Sequence, residues 1–165
     1  MPKTTPATTL AELTDRAAIS DVVTAYATTM DRGEWELYRS IFISEPYIHF
    51  PDWTIGPQTH VKAEDWVNMV RICFRGMVAT QHVITNLIIR INDDHASVDA
   101  NMTARHVYAP NDVECLGGYY VYGLVRESRE WKLSSVQLNA TWDEGPRDIF
   151  RRGYERGQAR IAQSS

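Results

Sequence analysis

A change of period divides this chain. Up to about residue 76 the apolar side chains recur every three or four positions, and from Val83 onward they recur at every second one. The first spacing lays a stripe along a helix, and the second gives a strand one buried face and one open face. Helices first and a meander of long strands afterwards is an α+β plan.

The first helix is expected from Leu10 to about Met30, with Leu10, Leu13, Ala17, Ala18, Val22, Ala25, Tyr26, Thr29 and Met30 on one stripe. Thr9, with Glu12 three residues on, forms a capping box for it. Gly33 breaks that helix, and Trp35 to Phe42 reads as a short second one. Pro46 to Phe50 reads as a strand closed by Pro51 and the Gly56-Pro57 turn. Lys62 to Gly76 carries Trp66, Met69, Val70, Cys73 and Phe74 at helical spacing, a third helix. Four strands follow, Val83 to Ile91, Ala96 to Tyr108, Leu116 to Glu127 and Trp131 to Trp142, with Asn-, Asp- and Ser-bearing turns between them. Gly145-Pro146 ends the sheet and Arg147 to Ile161 is a closing helix. The expected organisation is a loose start over 1–9, one domain over 10–145, and a C-terminal helix and tail over 146–165.

At 165 residues the chain can bury a substantial core in one domain. Its net charge of −4 argues against nucleic acid as a partner, because phosphate binding needs a basic surface. The arginines at 147, 151, 152, 156 and 160 are interrupted by Asp148 and Glu155 and read as a solvated helical face. No run reaches the ~18 apolar residues of a membrane span, and no signal peptide opens the chain. Cys73 and Cys115 have no metal-type spacing and read as free thiols in a reducing cytoplasm. The five histidines show no two-histidine motif around a carboxylate, and no glycine-rich phosphate loop occurs, so neither a metal nor another cofactor is expected.

Two local frames carry the chemistry. Asp31 lies in Tyr26-Ala-Thr-Thr-Met-Asp-Arg-Gly-Glu-Trp35 at the end of the first helix. His82 lies in Thr80-Gln-His-Val-Ile-Thr-Asn86 at the start of a strand. A carboxylate that orients an imidazole is the usual construction of a general base. Alternation sorts further candidates. His106 shares a face with Val98, Ala100, Met102, Ala104 and Tyr108, where a buried imidazole needs a partner or lines a cavity. His82 shares a face with Ile84, Asn86 and Ile88, and Trp142 with Val136, Leu138 and Ala140. Tyr119, Tyr120 and Tyr122 bring phenols to both faces of their strand. These groups are read either as a packed aromatic core or as a pocket lined by Tyr, His, Asp and Trp.

The order of elements and the two quoted frames resemble the SnoaL-like branch of the nuclear transport factor 2-like superfamily, to which scytalone dehydratase, bile acid 7α-dehydratase and hexachlorocyclohexane dehydrochlorinase are similar. The resemblance spans roughly Leu10 to Asp143. It implies a conical α+β barrel, with N-terminal helices packed on a strongly curved mixed sheet around a deep pocket. It also implies that Asp31 and His82 form a catalytic dyad. By the same resemblance Tyr26 matches a pocket tyrosine of one relative and His106 a second pocket histidine of another. Phe50 falls where a relative has a pocket tyrosine, Tyr119 and Val121 where it has a serine and an asparagine, and Ala140 where another has an arginine. Met30, Phe50, Trp53, Trp66, Tyr119, Val121 and Trp142 are the expected substrate-binding residues.

The resulting expectation is a cofactor-independent lyase. His82 would remove a carbon-bound proton from an apolar, cyclic small molecule, and Tyr26 or His106 would supply one. Isomerisation or cyclisation by the same dyad is one alternative, and a non-catalytic binding module is another. Relatives of this branch assemble as trimers or dimers, so a homo-oligomer is expected, with the trimer ahead.

Overall fold

The computed structural model describes residues 9–51 and 58–163. Its elements are α1 (Leu10–Arg32), α2 (Trp35–Ser40), β1 (Phe42–His49), β2 (Gln58–His60), α3 (Ala63–Arg75), β3 (Ala79–Asn92), β4 (His95–Ala109), β5 (Asp112–Glu127), β6 (Glu130–Glu144) and α4 (Ile149–Ala162). Thr9 caps α1 by accepting from the Glu12 amide at 3.1 Å, as the capping box requires. Gly33 ends the helix in the left-handed region, at φ 69°, where a side chain would be strained.

The six strands form one mixed sheet in the order β2-β1-β6-β5-β4-β3. β1 runs parallel to β6, and every other pairing is antiparallel. The sheet curls under α1, α2 and α3 without closing, so the expected α+β plan of helices on a curved mixed sheet holds as an open cone. Between helices and sheet lies a core centred on four buried phenols, Tyr26, Tyr38, Tyr120 and Tyr122. Tyr26 meets the other three at ring-centroid distances of 5.5 to 5.6 Å, mostly edge to face, the geometry that aromatic quadrupoles favour. Leu10 and Leu13, placed on the core stripe by their spacing, are exposed beyond the sheet edge, and Ile19 and Val23 are buried in their stead.

Two bulges alter the strand faces read from alternation. In β3, Asn86 (φ 56°) and Leu87 together stand opposite the single Ala100. The extra residue turns the strand over, so His82 and Ile84 point inward before it and Leu87, Ile89 and Ile91 after it. Asn86 and Ile88 therefore leave the His82 face. In β6 the extra residue is Thr141, between the pairs Gly118–Ala140 and Gly117–Trp142. Val136 and Leu138 face the core, but Trp142 is turned outward against Gly117 and is 47% exposed.

α4 packs across α3 through glycine. A Cβ on Gly157 would stand 1.9 Å from the Ile72 carbonyl oxygen, so the two helices approach backbone to backbone. The helix is not the simple solvated face that its arginines suggested. Arg152 grips Asp112 through both terminal nitrogens, at 2.6 and 3.0 Å. Arg156 donates to the carbonyls of Gly76 and Tyr108 and stacks on the Tyr108 ring. Arg147 and Arg151 do keep to the surface.

Candidate active site

Asp31 sits in the last turn of α1, where the helix dipole disfavours a negative charge. Three donors compensate. The Asp31 carboxylate accepts from the His82 ring at Nδ1 (2.7 Å), from the His82 backbone amide (2.6 Å) and from the Thr80 hydroxyl (2.9 Å). Burial pushes this carboxyl up, but the hydrogen bonds and charge of His82 and the Thr80 hydroxyl outweigh it, and the net direction is down. An ionised carboxylate can only accept, so Nδ1 carries the proton and Nε2 is left as the basic nitrogen. The sequence folds this way because Thr80 and His82 are two apart on the inward face at the start of β3, directly under the end of α1.

The His82 side chain is 1% exposed, its ring stacked against Phe74 at 5.9 Å with an interplanar angle of 16°. It forms one wall of a cavity with Tyr26, Met30, Phe50, Trp66, Phe74 and Tyr120. That cavity measures about 20 Å³, enough for about one water molecule rather than the deep pocket expected. Outside it lies an open groove of about 650 Å³, with Asp31 and Thr80 on one side and Arg32, Arg71 and Arg75 among its walls. Met30 and Phe74 belong to both linings, so those two side chains partition the groove from the cavity.

Behind His82 lies a second carboxylate–imidazole pair. His106 Nδ1 is 2.7 Å from Glu114 Oε2, on residues directly opposite each other in β4 and β5. His106 is fully buried under Phe150 of α4, whose ring centroid is 4.5 Å away. Burial holds this imidazole well below its ordinary range and, with the charge of Asp143, pushes Glu114 up to about 7.

The sequence-derived site residues thus divide into groups. His82, Tyr26, Met30, Phe50 and Trp66 come together around the small cavity, with Asp31 held to His82 and facing the groove. His106 touches the His82 ring from behind, with centroids 5.2 Å apart, and is not among the residues lining the cavity. Tyr119, Val121 and Trp142 lie on the outer face of the sheet, with Tyr119 and Trp142 bordering a separate shallow depression. Their turn away from the cavity follows from strand alternation for Tyr119 and Val121, and from the Thr141 bulge for Trp142. Trp53 lies outside the described residues. Thr80, Phe74, Tyr120 and Glu114 belong to the site although its sequence-derived set lacks them. Thr80 was signalled by its two-residue offset from His82, and Glu114 by counting back across the hairpin at Pro110-Asn111. No cluster of three or more His, Cys, Asp or Glu suited to a metal ion occurs among the described residues, and no described helix is long and apolar enough to cross a membrane.

Residues 11–137 match the SnoaL-like domain. Among solved structures, the Kfla4162 protein from Kribbella flavida is 30% identical with a TM-score of 0.78, over 84% of this chain and 98% of that one. The hexachlorocyclohexane dehydrochlorinase LinA-type3 from Novosphingobium barchaimii LL02 is 20% identical, with a TM-score of 0.70 over 83% of this chain and 93% of that one. A protein of unknown function with a cystatin-like fold from Nostoc punctiforme is 17% identical, with a TM-score of 0.61 over 77% and 91%. At such identities the last two share the fold with this chain and nothing more. No curated protein matches the chain.

Proposed function

The chain belongs to the SnoaL-like domain family, and on that premise we propose that it is a cofactor-independent lyase with Asp31 and His82 as its dyad. The observation that carries this reading is the double hold of one carboxylate on one histidine, at Nδ1 and at the backbone amide, which aims the ring at an aromatic-walled cavity. Neutral imidazole is suited to proton abstraction near neutral pH. His82 Nε2 removes a proton from a carbon beside a carbonyl or beside a leaving group, and Asp31 stabilises the imidazolium that forms. The electron pair of the broken C–H bond forms the new double bond as hydroxide or halide departs. Tyr26, a phenol of the cavity wall, donates a proton to departing hydroxide, and its burial, which raises its pKa well above the ordinary range, keeps it protonated. The substrate fitting such walls is apolar and ring-containing. It reaches them from the arginine-bearing groove once Met30 and Phe74 move aside. Dehydratase or dehydrohalogenase chemistry is the reading put first, and isomerisation or ring closure by the same base is told apart from it by product mass.

The test is a screen of hydroxy-carbonyl and halogenated ring compounds for elimination by the wild-type protein, with His82→Ala as the control. Turnover lost in a folded His82→Ala protein supports the lyase. Full turnover in that variant removes the dyad from the mechanism.

One observation favours a second reading, in which Asp31 and His82 tie a helix end to the sheet without catalysing anything. The cavity beside His82 holds about one water and must open to take a ring. Soaking crystals with an aromatic ketone and finding no density against His82, together with no turnover across the screen, would put that reading ahead.

Self-association is also part of the proposal. The outer sheet face exposes Val83, Ile88, Tyr119 and Trp142, apolar area that a second and third copy would cover. Sedimentation equilibrium distinguishes the trimer from the dimer and the monomer. Cys73 and Cys115, both unpaired thiols, suit a reducing compartment such as the cytoplasm.

A further inference from the structure

His106 and Glu114 are a buried ionisable pair to which the mechanism above gives no task. As packing alone, the pair is expensive: a sealed carboxyl and a sealed imidazole on facing strands could both be replaced by apolar residues of similar volume at little loss. Its position suggests a use. The His106 ring meets the His82 ring edge to face at 5.2 Å, with both side chains essentially inaccessible to water. Four groups therefore lie in one row, Asp31 at the groove and His82, His106 and Glu114 sealed behind it, with a contact of 2.7 Å at either end.

We propose that Glu114 is a positioning residue that acts through His106 on the charge of the dyad, so that the two carboxylate–imidazole pairs share one extra proton between them instead of holding one each. With Asp31 and Glu114 ionised and both rings neutral, each pair carries one negative charge. One added proton neutralises one pair. A second makes two buried imidazolium rings about 5 Å apart, where like charges lower each other's proton affinity by about tenfold or more.

The surrounding groups leave this coupling intact. From α1, Asp31 is committed to His82 and Thr80. From β6, Asp143 repels charge on Glu114 and is itself held by Arg147. From α4, Arg152 is spent on Asp112 and Asp148, and Arg156 on backbone carbonyls and the Tyr108 ring. From α3, Cys73 is a neutral thiol pushed up to about 12 by burial. No guanidinium or ammonium contacts Glu114 among the described residues. The directions agree with the geometry: after burial, the charge of His82 is what depresses His106, and the charge of Asp31 opposes it. Coupling of this kind is reciprocal. When the inner pair takes up a proton, the outer pair holds its own less tightly, so the ionisation of Glu114–His106 sets how strong a base the dyad is.

The experiment is a pH titration of the histidine rings by 15N NMR on the whole chain, with the His106 signals assigned through His106→Gln. Compared with wild type, His82→Gln should raise the proton affinity of the inner pair about tenfold, roughly one pH unit, because the repelling ring is gone. Asp31→Asn should lower it by a similar factor. Glu114→Gln should leave the fold intact and remove one ionisation from the row. A His106 midpoint that moves by less than about 0.2 pH units in both dyad variants would overturn the proposal. Should His82→Gln fail to melt cooperatively, His82→Phe, which keeps a ring against Phe74, serves the same comparison. The catalytic meaning of the inference rests on His82 being a base, but its measurement does not. A coupled yet inactive protein keeps the shared proton and sinks the lyase, whereas an active protein with independent titrations does the reverse.

Discussion

Asp31–His82 and His106–Glu114 are built from the same two kinds of group at the same 2.7 Å separation, and they live in opposite circumstances. The first straddles a wall: its imidazole faces a small cavity and its carboxylate an open groove, held by a hydroxyl and a backbone amide besides the ring. The second is shut between strands under a phenylalanine, and its carboxyl has the imidazole as its principal partner. Access and redundancy of hydrogen bonds, more than the pairing itself, make one a candidate for chemistry and the other a fixed charge environment behind it. Truncating one member of the outer pair should cost little stability, and truncating one member of the inner pair, which strands its buried partner, should cost much more.

The largest effect expected is on turnover. His82→Ala should lower kcat on the proton-abstraction substrate about 10³-fold or more while costing about 1–2 kcal/mol in urea denaturation for the buried ring that is lost, since Asp31 keeps Thr80 and solvent. The matching change in the inner pair, His106→Ala, should cost about 3 kcal/mol or more in the same denaturation experiment, because it strands a buried carboxyl. If the two variants are equally stable, the contrast between open and sealed pairs collapses. Next in size, Asp31→Asn should cost about 10²-fold in kcat by freeing the His82 tautomer, with a smaller change in KM.

A pH series of unfolding experiments sharpens the comparison further. Glu114 is raised from its ordinary value to about 7, so it favours the folded state at and below pH 4.5 and loses that contribution as pH climbs toward 7. At most this is about 3 kcal/mol. Asp31 has the opposite sign: its depressed pKa stabilises the fold above about pH 3.8, and that contribution disappears as acid protonates it. Wild type minus Glu114→Gln should therefore fall between pH 4.5 and 7, and wild type minus Asp31→Asn should fall only below about pH 4. Smallest of all, Phe74→Ala should open the partition between groove and cavity and strengthen binding of 2-naphthol a fewfold, read by calorimetry. Unchanged or weaker binding would mean that Phe74 does not gate the cavity.

Much of this arrangement could be read from the sequence, and the misses have identifiable causes. The outer pair was visible because both partners sit at element ends, one before Gly33 and the other at the start of an alternating run, where local rules are strong. The four long strands and three of the helices are visible because their apolar period recurs over many residues, and the bulges at Asn86 and Thr141 shift its phase without hiding it. The inner pair is half visible: alternation puts His106 in the core, but its partner needs the hairpin register, and Glu114 lies ahead of the strand that spacing predicts from Leu116, whereas β5 begins at Asp112. Trp142 was assigned to the wrong face because one extra residue at Thr141 is indistinguishable from its neighbours in a list of β-forming side chains. The narrowness of the cavity was not readable at all, since it depends on how Met30, Phe74 and four aromatic rings meet across elements far apart in sequence.

The bulge at Asn86 has a consequence for comparing this chain with its relatives. One extra residue in a strand acts as a reading-frame shift acts on a message, and the bulge is the device that absorbs it: two residues share one register position, and everything downstream keeps its meaning. Deleting Asn86 would leave Leu87 alone opposite Ala100, with His82, Ile84, Leu87, Ile89 and Ile91 all still turned to the core. A relative lacking that residue can therefore keep the same core on a regular strand with a one-residue gap. A relative that loses a residue elsewhere in the strand, with no bulge to absorb the loss, would have to rewrite the far half, while the end that holds the histidine could stay as it is.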